Sequence, residues 1–399
     1  MANVSSSNGL EKRPRLAFRR TDGSNFPSWS RTSLSSIIEP YSEKVYGEHK
    51  YEVLTSSREG LQRQVDHFGT KQRHDTDGYN IIPIGYCTYR NRSDDGRFAF
   101  NINTISSNAI VSKFYPVFRF TNANSLFMSE FLNSSSRAKK KLSVLAVGTS
   151  QVVLSFEALK AAKFDLPCKD EQDKIASFFE CLNRRIEYQR TLVDALKKYK
   201  RGVNKQLLSQ IENSCNCRLG SVCEIVGGGT PDTLHTEYWG SSVEWFTPSE
   251  IGKTKYVSRS VRKLSDIGLN NSSAKLLPIG TVLLTTRATL GEMSIAKREC
   301  CTNQGFQSLI PHQDQALSEY LYYMQIIIKP WCEKYASGNT FREISKSALS
   351  NCIIPLPDRA RQEEIVKLLS SIDTLISAEE GIAMSLSKMR HSLMQQLFI

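Results

Sequence analysis

The sequence contains no hydrophobic run long enough to cross a membrane. Its longest apolar stretches, such as 320–328, are interrupted and fall far short of the roughly 20 residues of a spanning helix. Residues 1–25 are polar and arginine-rich, and they lack the apolar segment of a secretory leader. We therefore expect a soluble, cytoplasmic protein without a membrane partner, whose ten irregularly spaced cysteines are reduced thiols.

Several signatures of catalysis and metal binding are also missing. The run GGGT at 227–230 lacks the Lys-Ser/Thr ending of a phosphate-binding loop and is more typical of a turn. Cys215 and Cys217 have the wrong spacing for zinc, and His235 and His312 lack helical pairing. Acidic residues at 170–173 lie at a predicted helix start, where they favour the helix dipole. We predict no catalytic residue, no metal site and no cofactor bound by this chain.

Positive charge, in contrast, is in excess. The formal net charge of the 399 residues is +12, and the isoelectric point is about 9.2. This charge makes an anionic partner plausible, but basicity alone is also compatible with an ordinary soluble protein. The length allows two to three domains, each able to bury its own core.

The chain carries an internal repeat. Residues 148–208 align without a gap on 338–398, and apolar positions match in kind at most other sites. Two copies in one polypeptide can form a pseudo-dyad, which is the geometry for reading two separated DNA half-sites. The identical residues include Gly148, Ser155, Leu159, Leu166, Pro167, Gln172, Ile175, Ile186, Leu196, Lys198, Gln206 and Leu207, repeated as Gly338, Ser345, Leu349, Leu356, Pro357, Gln362, Ile365, Ile376, Leu386, Lys388, Gln396 and Leu397.

The segments before the helical copies also match, since 82–96 aligns on 277–291. This register pairs Pro83 with Pro278, Gly85 with Gly280, Arg92 with Arg287 and Gly96 with Gly291. We therefore predict four regions in the order globular, helical, globular, helical. They are 1–147 (with 1–25 as a polar extension), 148–212, 213–337 and 338–399.

Both helical copies show the heptad seam of a coiled coil. Each seam is interrupted at the same two places, by Gln189 and Lys200 in the first and by Glu379 and Arg390 in the second. Matched polar interruptions favour two helices that pair with each other over an amphipathic helix that packs only on its own globular half. The residues predicted to pair the helices are Ile175, Phe179, Leu182, Ile186, Leu196, Ile365, Leu369, Ile372, Ile376 and Leu386.

The direction of pairing decides what the helices do. About 35 residues of helix make a rod of roughly 50 Å. An antiparallel pair would hold the globular halves at opposite ends, whereas a parallel pair would bring them to one end. Periodicity does not distinguish the two, but the pseudo-dyad and the basic charge favour the antiparallel pair.

The globular halves mix short β-like runs with turns and short helices, and each is predicted to be α+β. Arginine and asparagine suit base edges, threonine and tyrosine suit phosphates or a thymine methyl, and lysine neutralises the backbone. For Arg92 and Arg287 an ion pair common to both copies is an equally good interpretation. The candidate DNA-binding residues are Thr88, Tyr89, Arg90, Asn91, Arg92, Lys139, Lys140, Lys253, Lys255, Thr285, Thr286, Arg287, Thr289 and Arg342.

These segments together resemble the specificity (S) subunit of type I restriction-modification systems. In the second half the resemblance rests on GGGTP (227–231), YWGSSVEWFTPSEIG (238–252), LPIGTVLLTTRATLG (277–291) and NQGF (303–306). It continues through 337–357 into the helix from Gln362, and the first half matches well from Gly148 through 166–179. Nearly the whole chain is covered.

The resemblance implies two target-recognition domains that each read one part of a bipartite double-stranded DNA site, held apart by an antiparallel coiled coil. It also implies docking of two modification (methyltransferase) subunits, which bind S-adenosylmethionine, and of restriction (motor-nuclease) subunits. The chain itself would be non-catalytic. Residues 1–25 have no counterpart in the second half. Two other hypotheses stay open on the sequence: a stand-alone DNA nuclease or methyltransferase, and a repeat scaffold that binds only proteins.

Overall fold

The computed structural model describes residues 16–69, 75–211, 215–287, 289–338 and 342–398. The chain forms two compact units. The first unit is Met1–Arg190 with Gly381–Ile399, and the second unit is Thr191–Glu380. Each unit therefore contains one globular half together with a part of each long helix. The first 15 residues of the polar extension lie outside the described residues.

The first unit is built around two sheets. A five-stranded sheet has the order β3-β6-β10-β4-β5, a four-stranded sheet has the order β2-β11-β7-β9, and β1-β13 and β12-β8 form two-stranded ribbons. Its strands are β1 Ser30–Ser33, β2 Ile38–Tyr41, β3 Lys44–Val45, β4 Glu52–Ser57, β5 Gly60–Arg63, β6 Tyr79–Ile81, β7 Cys87–Tyr89, β8 Arg92–Ser93, β9 Phe100–Ile102, β10 Ala109–Val111, β11 Val117–Phe120, β12 Val152–Val153 and β13 Lys163–Leu166. Its helices are α1 Gln64–Phe68, α2 Ser125–Ser134, α3 Ser136–Leu145, α4 Phe156–Ala161 and the first part of α5 Lys169–Ser209, with a 3-10 turn at Leu34–Ser36.

The second unit has a five-stranded sheet of order β15-β22-β19-β20-β17, a three-stranded sheet of order β18-β16-β21 and the ribbon β14-β23. Its strands are β14 Asn216–Arg218, β15 Cys223–Gly227, β16 Trp239–Phe246, β17 Tyr256–Val257, β18 Arg262–Leu264, β19 Val282–Leu284, β20 Met293–Ala296, β21 Cys300–Thr302, β22 Gln307–Pro311 and β23 Ile353–Pro355. Its helices are α6 Leu219–Val222, α7 Asp266–Asn270, α8 Ser318–Tyr323, α9 Gln325–Tyr335, α10 Lys346–Ser350 and the first part of α11 Arg359–Leu397, with 3-10 turns at Thr236–Tyr238 and Pro248–Glu250.

The two units share a strand order that follows the sequence repeat. The run β2-β11-β7-β9 of the first unit corresponds to β15-β22-β19-β20 of the second, and the ribbon β1-β13 corresponds to β14-β23. In each unit this ribbon joins the strand that enters the globular part to the strand that leads into the long helix. The long helices themselves begin at Lys169 and Arg359, so the residues between each repeated glycine and its helix form part of the globular core.

Local physical chemistry explains several of the repeated identities. Ser155 and Ser345 cap the short helices α4 and α10, each accepting a hydrogen bond from a backbone N–H three residues later. The Pro-Ile-Gly turns at 83–85 and 278–280 both close on the proline carbonyl. The glycines Gly85 and Gly280 have φ of 83° and 87°, which only glycine adopts without strain.

The repeated glutamines fasten each long helix to its globular domain. Gln362 is fully buried: its Oε1 accepts from the Leu317 N–H (3.0 Å), and its Nε2 donates to the carbonyls of Gln315 (2.8 Å) and Pro357 (3.0 Å). Gln172 does the same in the first unit, accepting from the Asn124 N–H and donating to the Pro167 carbonyl, both at 2.9 Å. The bonded N–H belongs in each unit to the residue that precedes α2 or α8.

Replacing Gln362 by alanine is expected to lower the free energy of unfolding of the second unit by on the order of 2–4 kcal/mol. The reason is that a buried N–H and two carbonyls lose their partner. Urea unfolding followed by tryptophan fluorescence measures the change. Gln396→Ala is the matched control, because Gln396 is also a repeated glutamine of α11 but is exposed, and its loss should cost less than about 0.5 kcal/mol. Equal effects of the two substitutions would contradict this role.

Within each unit the two long helices pack against each other in opposite directions. In the first unit Phe179 of α5 lies 6.5 Å (ring centroids) from Phe398, and Asn183, further along α5, contacts Arg390, further back on α11. In the second unit Lys197 pairs with Glu380 (2.6 Å) and Lys200 with Asp373 (2.5 Å). These contacts confirm the predicted α+β class with two long helices that pair as an antiparallel coiled coil.

Eight of the ten predicted seam residues belong to the hydrophobic cores or pack against them, Ile186 and Leu386 being the exceptions. Seven of the ten are buried, and Leu182, Leu196 and Leu386 are half-buried. The helices also pack on the globular domains, because Ile175 and Phe179 share a core with β-strand residues of the first unit, and Ile365 and Leu369 do so in the second. The long helices therefore pair with each other and also pack on the globular domains.

The polar interruptions of the seams form equivalent nodes, one in each unit. In the second unit Lys200 pairs with Asp373, whose other oxygen accepts a hydrogen bond from the Tyr323 hydroxyl (2.7 Å). In the first unit Arg390 donates to Asn183 and to Glu130, both at 2.5 Å. Asn183 aligns with Asp373 in the repeat, and Glu130 and Tyr323 come from the globular domains. Each node thus joins both helices to one globular domain, which fixes register as polar seam residues do in coiled coils.

Candidate nucleic-acid interface

In the second unit four separate segments converge on one cluster of loops. The Gly229 N–H donates to the Thr302 carbonyl (2.8 Å), and the Thr286 N–H donates to the Gly305 carbonyl (2.8 Å). The Thr289 hydroxyl lies 3.4 Å from the Pro248 carbonyl oxygen. The glycine run allows this packing, because a Cβ on Gly228 would come within 2.0 Å of a backbone oxygen. We name the segments 228–231, 247–250, 286–287, 289–290 and 303–305 the second loop cluster.

The second loop cluster presents polar side chains at its surface. Thr289, Gln304 and Ser249 are exposed or half-exposed, and the Thr230 hydroxyl bonds to the Gln304 amide oxygen. Gln304 and Ser249 were not among the residues chosen from sequence, although both lie inside the motifs NQGF and YWGSSVEWFTPSEIG. In a polar loop, threonine and arginine suggest a DNA contact, whereas a single glutamine or serine does not by itself predict one.

Arg287 lies at the edge of this cluster and pairs with Glu343 (2.8 Å), while 43% of its side-chain surface stays exposed. The ion-pair interpretation therefore holds for Arg287. It does not hold for Arg92, because the repeat places Val153 opposite Glu343, and Val153 pairs with Arg92 only through the backbone. The guanidinium of Arg92 instead lies 5.3 Å from the centre of the Phe114 ring.

Four of the residues predicted to contact DNA are buried, which contradicts that prediction. Thr88, Tyr89, Thr285 and Thr286 have no exposed surface. The hydroxyl of Thr88 donates to the Pro116 carbonyl (2.8 Å), and that of Tyr89 donates to the Leu154 carbonyl (3.0 Å). Burial also raises the pKa of Tyr89 above its usual range. The hydroxyls of these four side chains bond to the protein itself, and none of the four exposes surface to solvent.

The prediction that Lys255 contacts a DNA phosphate is also contradicted by the structure. Its ammonium donates to the Tyr323 hydroxyl and to Ser370 Oγ, both at 2.9 Å, and lies 4.6 Å from the Tyr323 ring centre. Desolvation lowers the pKa of Lys255, and the nearby Asp373 partly opposes that shift. The side chain therefore points to α11 and joins the polar node of the second unit instead of neutralising a backbone phosphate.

In the first unit, arginines gather around a small cleft of about 110 Å³. Arg90 and Arg92 are exposed and form no ion pair among the residues that the structure describes. Arg58 pairs with Asp95 (2.6 Å), and the pKa of Asp95 is lowered mainly by the Ser93 hydroxyl and further by Arg58, so that carboxylate is charged. We name Arg58, Arg90, Arg92 and Arg97, with the neighbouring Ser57 and Ser93, the arginine cleft.

The sequence analysis did not predict Arg58 and Arg97 as site residues. Arg58 lies in the turn between β4 and β5, and Arg97 follows β8. Only the folding of the sheets brings them beside Arg90. Asn91 is half-buried, and its Oδ1 is buried without a protein partner within the described residues. Lys139, Lys140, Lys253 and Arg342 are exposed, as a role in phosphate binding requires, and remain predictions.

Among the described residues, no group of three or more His, Cys, Asp or Glu could hold a metal ion. None of the helices in the described segments is long and apolar enough to cross a membrane. All ten cysteines are free, and burial raises the pKa of several of them, including that of Cys352 to about 12.

Two repeated α+β domains, each with polar loops and each fastened to an antiparallel helix pair, define a tandem recognition module with a helical spacer. The family model of the type I restriction modification DNA specificity domain matches this chain twice, at residues 38–213 and 211–388. The chain belongs to this family.

Individual proteins similar to this chain are specificity subunits of type I restriction enzymes. The MjaIX specificity subunit of Methanocaldococcus jannaschii is 35% identical over 186 residues, which cover 46% of this chain and 43% of that protein. The EcoR124I/EcoR124II specificity subunit of Escherichia coli is 27% identical over 239 residues, covering 55% and 58%. The chain thus spans about half the length of these relatives. The fold is similar to that of the type I S subunit from M. genitalium, with a TM-score of 0.55, 15% identity, and coverage of 97% and 99%.

Proposed function

We propose that this protein is the DNA-specificity subunit of a type I restriction-modification complex and reads a bipartite double-stranded site. The observation that carries the proposal is the duplicated architecture: each unit has its own polar loop surface, and each is fastened to the same helix pair by an equivalent glutamine and polar node. The family match to both halves supports it.

The exposed arginines are the base readers in this proposal. Arg90 and Arg92 of the arginine cleft, which Asp94 also lines, are exposed and have the planar donors that engage guanine O6 and N7. In the second loop cluster Thr289 and Gln304 take this role with the exposed part of Arg287, which keeps its ion pair with Glu343. Gln304 is suited to the adenine edge. Lys139, Lys140, Lys253 and Arg342 supply phosphate contacts. Divergent surfaces on a common frame suit two different half-site sequences.

The long helices supply docking surfaces for partner subunits. Four side chains of α11 at seven-residue spacing stay exposed: Leu368 (44%), Leu375 (47%), Ile382 (43%) and Met389 (47%). An apolar stripe of this spacing fits an added helix in coiled-coil packing. We propose that two modification subunits, which bind S-adenosylmethionine, dock on these helices, and that restriction subunits join them in the cytoplasm. In this proposal the chain contributes no catalytic residue.

Charge reversal of Arg92 is expected to weaken binding at one half-site by roughly 1–3 kcal/mol and leave the other half-site unaffected. Fluorescence anisotropy with duplexes in which either half-site is scrambled measures this selectivity. Lys346→Glu is the control for net charge, since Lys346 is exposed on α10 of the second unit. Reversal of Arg287 should act at the other half-site. Unchanged affinity in both variants would favour a protein-only scaffold.

The proposal as a whole is tested by comparing the methylome of the host with and without this gene. Loss of adenine methylation at one bipartite sequence supports a specificity subunit and identifies both half-sites. An unchanged methylome contradicts it. Turnover of plasmid DNA by the purified chain alone with S-adenosylmethionine would instead indicate a stand-alone enzyme.

A further inference from the structure

The N-terminal arm, residues 16–29, is bound to the start of α5. The ring of Phe18 lies 5.7 Å from that of Phe178, and the Lys174 ammonium donates to the Arg19 carbonyl. The backbones of Arg19 and Asn25 pair across a turn that contains Gly23, so this part of the arm is a small hairpin. The arm then leads directly into β1.

The anchoring residues occur only in the first half of the repeat. Lys174 and Phe178 align with Glu364 and Leu368 in the second half, and neither of these residues could make the same contacts. Glu171, which is hydrogen-bonded to the Trp29 side chain and whose pKa is raised by burial, aligns with Arg361. The first copy thus departs from the second where the arm binds, which indicates a feature specific to the first unit.

Positive charge exceeds negative charge in the arm, where Asp22 offsets part of the charge of Arg19 and Arg20. Arg19 and Arg20 are exposed, and the guanidinium of Arg20 lies 5.4 Å from the Phe26 ring centre. The sequence immediately before them adds Lys12, Arg13 and Arg15, which gives five cations and no acid between positions 12 and 20. Basic N-terminal arms of this kind bind nucleic acid in other proteins.

A second basic segment contacts the ribbon that follows the arm. Helix α3 contains Arg137, Lys139, Lys140 and Lys141 and no acidic residue. Lys141 donates to the Lys163 carbonyl of β13 (2.7 Å), and β13 pairs with β1, the strand that continues the arm. The comparable helix of the second unit, α9, has two lysines and one glutamate, and Lys329 is neutralised by Glu292 at 2.6 Å. Helix α3 is therefore more basic than α9, its counterpart in the second unit.

We propose that the arm and α3 form a sequence-independent grip on the DNA phosphate backbone beside the half-site that the first unit reads. This inference rests on the proposed DNA-specificity function and deepens it, since the two halves would then contribute unequally to affinity. Phosphates are the partner that the chemistry favours: the exposed groups are arginine and lysine, and Phe18, the large apolar side chain of the arm, is already packed on α5.

The test compares two double variants of the full chain, Arg19→Gln/Arg20→Gln and Arg137→Gln/Lys139→Gln, with a matched control, Lys297→Gln/Arg298→Gln. The control removes the same charge from an exposed position of the second unit. The probes are a duplex that carries the bipartite site and one in which both half-sites are scrambled. Affinity is measured as a function of salt concentration. Thermal melting by circular dichroism checks that the variants stay folded.

In each basic variant the slope of log affinity against log salt should fall by about 1.8, because each lost phosphate contact removes about 0.9. Extrapolated from 1 M salt, this corresponds to up to about 60-fold weaker binding at 0.1 M. Both duplexes should lose the same factor, so that sequence preference is unchanged, and the control should keep the original slope.

An unchanged slope in the arm variant would overturn the proposal, as would an equal fall in the control. If the arm variant kept its DNA affinity but no longer co-purified with the methyltransferase subunit, the arm would be a protein contact, which also overturns it. A failure of the proposed function is recognised separately, because the unsubstituted chain would then show no preference for the site duplex.

Discussion

Replacing Phe398 by alanine is expected to destabilise the first unit by on the order of 3–5 kcal/mol, although the residue lies at the far end of the chain. Phe398 is 2% exposed, and its ring centroid lies 5.7 Å from Phe127, 5.6 Å from Phe131 and 6.5 Å from Phe179. The truncation would leave a cavity between α2, α5 and the end of α11. Such a loss is a large fraction of the stability of a typical domain.

The effect of Phe398→Ala on DNA recognition should be confined to one half-site. Phe398 packs in the core of the first unit, so the second unit keeps its own core intact. We expect weaker recognition of the half-site read by the first unit, with the other half-site still bound. Urea unfolding together with anisotropy on duplexes with one scrambled half-site measures both effects.

Phe68→Ala is the matched control, since Phe68 is a phenylalanine of the same unit that is 47% exposed. It should change the free energy of unfolding by less than about 0.5 kcal/mol. A wild-type stability for Phe398→Ala, or selective loss of the half-site read by the second unit, would show that the C-terminal end of α11 does not support the first domain.

Inserting four residues next to Thr191 is expected to change the preferred spacing between the half-sites without changing either half-site sequence. Four residues add about 6 Å of helix and slightly exceed one turn of 3.6 residues, so the following residues keep nearly the same face. The position is the point along the chain where the first compact unit ends and the second begins. Since base pairs are stacked about 3.4 Å apart, the spacer should lengthen by roughly one to two base pairs.

A methylome of cells that express the inserted variant measures spacer and half-sites together. The control is the same insertion after Thr233, an exposed turn residue of the second unit, which should leave the spacer unchanged. A changed half-site sequence in the Thr191 variant would mean that the helices take part in base reading. An unchanged spacer would mean that they do not set the separation.

The polar loops show where sequence reasoning fails. The segment Thr88–Arg92 reads as a polar loop, but Cys87–Tyr89 forms β7 inside a sheet and all three of its side chains are buried. Thr88 tolerates this burial because a single carbonyl satisfies its hydroxyl. Residue type therefore indicated hydrogen bonding correctly but could not distinguish a bond to the protein from a bond to DNA. Lys255 illustrates the same limit for charge.

The sequence alone determined the duplication, the heptad seams with their matched polar interruptions, and the repeated glutamines, because these features recur at fixed spacing and depend on local geometry. It also favoured the antiparallel pairing. Only the tertiary structure decided which polar side chains remain free for a ligand. That outcome depends on contacts between residues distant in the chain, such as Arg287 with Glu343 and Arg58 beside Arg90, and on whether a buried carbonyl already takes the hydrogen bond.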